Sequence, residues 1–202
     1  MIAVSSRHTM SPQEYLAWEA AQPTKYEYLN GAAYAMTGGT LPHNDIAVNL
    51  VTLLRNHLRG TGCKVRMADA KVAVSQVGPF FYPDIVVSCD ERDRRALDMI
   101  RYPCLIVEVL SPSTEGFDRG EKFRQYRRLP SLTEYVLVSA EQMMIEIFRL
   151  NAQGKWELTP YSIDAAMDTE TKIAPTDLRV QLTSVDYEGA IAQIYEDVEL
   201  SQ

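Results

Sequence analysis

The chain has 202 residues, of which 46% are hydrophobic and 23% charged, with a formal net charge of -7. That balance suits one globular domain with a single core and excludes a disordered chain, while apolar runs of only about six residues exclude a bilayer span. The N-terminus lacks a secretory apolar region, Cys63, Cys89 and Cys104 have no zinc spacing, and their odd number argues against a complete disulfide framework. A soluble protein of a reducing cytoplasm is expected.

Net acidity argues against a nucleic-acid partner, because affinity for phosphates comes mainly from Lys and Arg. Its distribution weakens that objection. Residues 1–130 carry 16 Lys and Arg against 14 Asp and Glu, whereas residues 131–202 carry 4 against 13. The basic side chains include Arg92, Arg94, Arg95 and Arg101, then Arg119, Lys122, Arg124, Arg127 and Arg128. Such a cluster also describes an ordinary solvated face.

In chain order, Ser11-Pro12-Gln13-Glu14 reads as a capping box with proline at the first helical position, predicting a short helix to about Gln22. Asn30-Gly31 between Lys25–Leu29 and Ala32–Met36 predicts a β-hairpin with a type I′ turn. Ile46, Leu50, Val51, Leu53, Leu54 and Leu58 recur at helical spacing, so a long helix is expected from about Pro42 until Gly60 stops it. Strands are expected near Lys64–Met67 and Lys71–Val74, at Ile85–Val87, at Leu105–Leu110, at Tyr135–Val138, at Met144–Phe148 and at Trp156–Leu158. The charged stretch Asp90–Asp98 reads as a loop or short helix, and Phe117–Leu129 as a helix ended by Pro130. Residues 163–202 carry weaker signals, a strand near Leu178–Leu182 and a helix near Tyr187–Tyr195.

Two acids sit in apolar runs. Asp84 opens Ile85-Val86-Val87, and Glu108 lies within Leu105–Leu110 with Ile106 and Leu110 on its own face of the strand. An unpartnered buried carboxylate costs several kcal/mol, so a cation is expected beside it. Adjacent core strands would bring the pair within reach of one Mg²⁺ or Mn²⁺, and Lys122 follows on the next helix, sharing a face with Asp118 and Tyr126. Metal, acids and lysine are a minimal kit for phosphodiester hydrolysis. Each residue also has a plainer explanation. Glu108 would pair with an arginine, Asp84 would mark a Pro-Asp boundary, and Lys122 would form an exposed pair with Asp118. Glu27 alternates with Tyr26 and Tyr28 and would face solvent, while His43 would be a helix-end residue.

The ordered set Tyr15-Leu16, Tyr26-Glu27, Asn30-Gly31, His43, Tyr82-Pro83-Asp84-Ile85-Val86-Val87, Glu108-Val109-Leu110-Ser111-Pro112-Ser113-Thr114 and Asp118-Arg119-Gly120-Glu121-Lys122 resembles the Uma-two family of endonucleases, over roughly residues 9 to 150. That family lies in the restriction-endonuclease-like PD-(D/E)XK superfamily. The resemblance implies an α/β fold with a mixed central sheet flanked by helices, preceded by an N-terminal helix and β-hairpin. It also implies a metal site of Asp84, Glu108 and the Val109 carbonyl, with Glu27 as a further acid and His43 lining the site. The superfamily's lysine position, two after the glutamate, holds Leu110, and Lys122 is its expected substitute. Arg119 and Arg124 would hold the backbone of a nucleic acid, DNA before RNA, and a homodimer would match the two strands of a duplex. The alternative is a nucleic-acid-binding or protein-interaction module that keeps the fold without turnover.

Overall fold

The structure is a computed structural model that describes residues 9–36, 38–162, 174 and 176–200. Helix α1 (Pro12–Glu19) starts at the expected capping box: the Ser11 hydroxyl accepts from the Glu14 N–H, and the Glu14 carboxylate accepts from the Ser11 N–H at 2.7 Å. The Ser11→Ala variant should lose about 1 kcal/mol, read as a lowered urea midpoint with an unchanged slope.

Strands β1 (Tyr26–Leu29) and β2 (Ala32–Ala35) form the hairpin. Asn30 and Gly31 have φ of +50° and +87°, the backbone that a type I′ turn demands. Helix α2 (Leu41–His57) follows, its first turn capped by Thr40. Next come β3 (Lys64–Met67), β4 (Val72–Ala73), β5 (Phe80–Phe81), β6 (Ile85–Ser88), α3 (Glu91–Arg95) and β7 (Leu105–Leu110). A helical segment then runs from α4 (Glu115–Phe117) through a π turn (Asp118–Lys122) into α5 (Phe123–Tyr126). Strands β8 (Glu134–Ser139), β9 (Met144–Leu150), β10 (Trp156–Ser162), β11 (Arg179–Leu182) and β12 (Tyr187–Ala190) precede a final short helix α6 (Ile191–Ile194).

The main sheet has the order β10-β9-β8-β7-β6-β3; only β7 and β8 run parallel, so the expected mixed central sheet is present. The smaller sheet, β2-β1-β5-β4, carries the hairpin. Alternation along β7 separates two cores. Val107 and Val109 pack with α2, β11, β12 and α6, whereas Ile106 and Leu110 pack with Phe123, Tyr126 and Tyr135. A third cluster under α1 joins Tyr15, Tyr28, Ala33, Ala73 and Phe80, with the Tyr15 and Tyr28 rings stacked at 4.7 Å.

Several elements differ from expectation. Residues 187–190 are a strand, because Tyr187 and Gly189 face inward with Glu188 outward and pair with β11; only Ile191–Ile194 is helical. The two-residue strand β5 is too short for a period-2 signal to mark. Strand β10 runs to Ser162 through Pro160, which an edge strand tolerates. The expected helix ends at Tyr126 and is interrupted by the π turn. Cys63 and Cys89 form a disulfide, since Lys64 pairs with Ser88 and the two cysteines are the next pair along; Cys104 is free. No spacing rule reads that register. Among the described residues no helix is long and apolar enough to cross a membrane. His8 lies outside the described residues.

Candidate active site

Strands β6 and β7 pair from Val87 and Leu105 to Ile85 and Val107, which leaves Asp84 and Glu108 next along the ladder, at its open end. There the Asp84 N–H lies 3.4 Å from Glu108 Oε2, and the Val109 N–H donates to Asp84 Oδ2 at 2.7 Å. The two acids are thus tied to each other's strands by backbone bonds. They differ in exposure: the Glu108 side chain is 3% exposed and that of Asp84 21%, so Asp84 stands at the mouth.

Lys122 is the hub behind Glu108. Its Nζ lies 3.1 Å from Glu108 Oε1, 3.0 Å from Glu27 Oε1 and 3.2 Å from Asp118 Oδ1, with its own side chain 7% exposed. The pair with Asp118 is therefore buried and shared, unlike a solvated surface pair. Tyr126, one turn further on, donates its hydroxyl to Glu108 Oε1 at 3.3 Å. A π turn spans Asp118 to Lys122, a local widening often found where helices carry chemistry.

Glu27 is not solvent-facing. The hairpin packs against Tyr82, whose N–H donates to Glu27 Oε1 at 3.0 Å, and the residue is 2% exposed. Tyr82 is itself held by its hydroxyl, which donates to Glu19 Oε1 at 2.7 Å, while Lys71 pairs with the other Glu19 oxygen at 3.1 Å. At the start of α2, His43 Nε2 sits 3.2 Å from Asp84 Oδ2. These groups line a cleft of about 280 Å³ together with Ser111, Thr114 and Gly39.

The electrostatics follow from four acids facing one lysine and one histidine. Burial first, then the neighbouring carboxylates, raises Glu108 well above the usual range, with Lys122 opposing. Burial likewise raises Glu27 and Asp118 against the pull of Lys122. For Lys122, burial disfavours the ammonium, but Glu108, Glu27 and Asp118 outweigh it and hold the amine charged. Burial also opposes the His43 imidazolium, and the Asp84 bond overcomes it, so His43 is raised.

The arginines expected to grip a backbone each pair with a carboxylate. Arg119 is bound by Glu115 at 2.6 Å and by Glu146, and Arg124 by Glu121 at 2.6 Å. Asp118 and Tyr126 complete the cluster beyond the acids singled out from sequence; their signal was the four-residue spacing that puts both on the face of Lys122.

Among the described residues no three His, Cys, Asp or Glu side chains form a ready metal-binding group. Two carboxylates and the Val109 backbone beside them remain as donors. The acids outnumber the cations, and the buried Glu27 Oε2 has no hydrogen-bond partner. A hard-oxygen set with surplus negative charge suits Mg²⁺ or Mn²⁺, so the residues present fit such an ion.

Comparison with known proteins agrees with this frame. The chain is 43% identical over 162 residues to an uncharacterized protein of Synechocystis sp., covering 80% of this chain and 85% of that one. A second uncharacterized Synechocystis protein is 30% identical over 162 residues, covering 79% and 91%. The crystal structure of "a putative nuclease belonging to DUF820" from Anabaena variabilis superposes with a TM-score of 0.70 at 14% identity, over 92% of this chain and 97% of that one, and so shares the fold. A family profile described as "Putative restriction endonuclease" matches residues 12–183, a span holding the hairpin acid, both acid-bearing strands and the lysine segment; the chain belongs to that family, Uma2.

Proposed function

We propose that this protein is a metal-dependent endonuclease that hydrolyses phosphodiester bonds of nucleic acid, DNA in the first place. The observation that supports it is the meeting of Asp84 and Glu108 at the open end of β6 and β7, with Lys122 3.1 Å from Glu108. Asp84, Glu108 and the Val109 carbonyl would hold Mg²⁺, with Mn²⁺ as substitute. Such an ion, when bound, polarises a phosphoryl oxygen and lowers the pKa of water.

The chain's own residues do the remaining work. Lys122 holds Glu27, Glu108 and Asp118 in one arrangement, so the acids present fixed oxygens without mutual repulsion forcing them apart. Its ammonium also places positive charge next to the site, where it offsets charge gathering on a pentavalent phosphorus. His43, held to Asp84 and raised by it, is a proton donor at the cleft and serves the leaving oxygen. Glu27, with one oxygen unengaged, sets the charge of the cluster.

A specific observation favours the alternative of a binding module without turnover: Lys122 and His43 already contact Glu108 and Asp84, so both acids have partners without a metal. Calorimetry with Mn²⁺ separates the two readings. Because Glu27, Glu108 and Asp118 are raised, they retain protons that a cation must displace, so binding should be tighter at pH 8 than at pH 6. The nuclease should also cut plasmid or linear DNA with Mg²⁺ or Mn²⁺, and Asp84→Asn should abolish both cutting and the calorimetric signal. Equal cutting by wild type and variant would mean a contaminant and would remove the nuclease reading.

A further inference from the structure

The strongest feature outside the acid cluster is a concentration of unneutralised positive charge in a protein of net charge -7. A groove of about 430 Å³ lies between the C-terminal end of α2 and β3, lined by Arg55, Arg59, Lys64 and Arg66. Arg94 of α3 flanks it, its guanidinium lying so close over Gly62 that an added Cβ there would sit 3.0 Å from Nη1. None of the ion pairs among the described residues includes any of these five side chains, whereas Arg92, Arg95, Arg119, Arg124, Arg149 and Arg179 all have carboxylate partners; Arg101, Arg127 and Arg128 are also outside those ion pairs but do not line this groove. Two of the five are steered by backbone carbonyls instead: Lys64 Nζ donates to Arg94 and Arg66 to Asp93, each at 2.9 Å. Carbonyls orient the cations without cancelling their charge.

Strand β3 leads from the groove to the acid cleft. Strand β3 lines the groove with Lys64 and Arg66, and Ala68, just beyond its end, lines the cleft and donates its N–H to the Asp84 carbonyl. Four residues of extended chain cover about 13 Å. Helix α2 makes the same connection, with His43 at the cleft and Arg55 twelve residues later, about 18 Å along the axis. At about 3.4 Å of duplex axis per base pair, that separation is roughly four to five base pairs.

We propose that this groove is a docking track for the phosphate backbone of nucleic acid, holding the substrate four to five base pairs from the acid cluster. The nature of the partner rests on the nuclease reading, while the position of the track rests on the unpaired cations. It replaces Arg119 and Arg124, whose charges are already met, as the main backbone contact.

The test is fluorescence anisotropy with a labelled 30-base-pair duplex in EDTA, where binding is read without cleavage, for wild type and the R55Q/R59Q/K64Q variant. All three side chains are exposed and none touches the acid cluster, so the thermal midpoint should not change. The variant should bind at least ~10-fold more weakly near 0.1 M salt, with the slope of log affinity against log salt smaller by about 3. An R119Q/R124Q variant should bind nearly as wild type. An unchanged salt slope in the triple variant would overturn the proposal, as would equal competition by polyglutamate of matched charge, which would make the groove a site for acidic polypeptides. Should wild type cut no DNA with Mn²⁺ yet bind it through these three residues, the nuclease reading falls and the track stands.

Discussion

Replacing Lys122 by methionine should reduce DNA cleavage by about 10²–10³-fold, the loss typical of removing one preorganised charge from an active site. It should also destabilise the protein at neutral pH by about 3–5 kcal/mol, as for other buried charges stripped of their partner. Three acids share this one ammonium, each within 3.2 Å, and methionine keeps most of the side-chain volume, so the result reads the charge rather than a cavity.

The pH dependence carries the sign. Glu27, Glu108 and Asp118 have folded-state pKa values above their ordinary ones, so the folded protein keeps protons on them that the unfolded chain releases. Their ionisation therefore costs stability as pH rises above the ordinary carboxylate values, 4.5 for the two glutamates and 3.8 for Asp118. Removing Lys122 removes the influence that lowers all three and deepens that cost. The deficit of Lys122→Met should thus be largest at pH 7–8 and shrink toward pH 5. Lysine's own shift is upward, so its charge is kept at every pH below its ordinary 10.5, and the trend between pH 5 and 8 comes from the ionisation of the three acids it faces. Urea unfolding of both proteins across pH 5 to 8 reads the trend; a deficit independent of pH would mean that Lys122 acts by packing alone.

Replacing Glu134 by alanine should destabilise the protein by a similar amount, about 3–5 kcal/mol, with no direct effect at the acid cluster. Glu134 is 1% exposed at the start of β8, and its carboxylate gathers the chain that follows β11. It accepts from the Thr183 N–H at 3.0 Å and hydroxyl at 2.9 Å, from the Ser184 N–H at 2.9 Å and hydroxyl at 2.6 Å, and from Arg149 Nε at 2.8 Å. Alanine would take the carboxylate from the Arg149 guanidinium, which keeps Tyr161 and the Gln181 carbonyl, and leave four polar donors without an acceptor. Hydrogen exchange should show protection lost first in β11, β12 and α6, and Glu134→Gln, which keeps an acceptor, should recover part of the stability. Uniform loss of protection over the whole sheet would mean that the C-terminal elements are no separate unit.

Much of the fold was legible because its signals are local. The Ser11–Glu14 capping box, the Asn30-Gly31 turn and the helical spacing of Ile46, Leu50, Leu54 and Leu58 each depend on residues a few positions apart. Where the local signal was thin, tertiary pairing prevailed. Gly189 inside a nominal helix reads as weak helix or strand alike, and pairing with Val180 decides it. The same holds for β5, two residues made a strand by contacts with Tyr28 and Val72.

For the site, the amino-acid order alone determined that Glu108 could not escape to solvent, since Ile106 and Leu110 share its face and both sides of β7 are buried. It also placed Asp118, Lys122 and Tyr126 on one helical face. It could not say that Glu27 turns inward, because in a hairpin the two faces are equivalent until the Tyr82 backbone and Lys122 arrive from elsewhere in the chain. Nor could it show that Arg119 and Arg124 pair with carboxylates while Arg55, Arg59 and Lys64 have no ion pair among the described residues, since charge is visible in a sequence but pairing depends on approach in space. Periodicity fixes which way a side chain leaves its own element; only the packing of elements decides what it meets there.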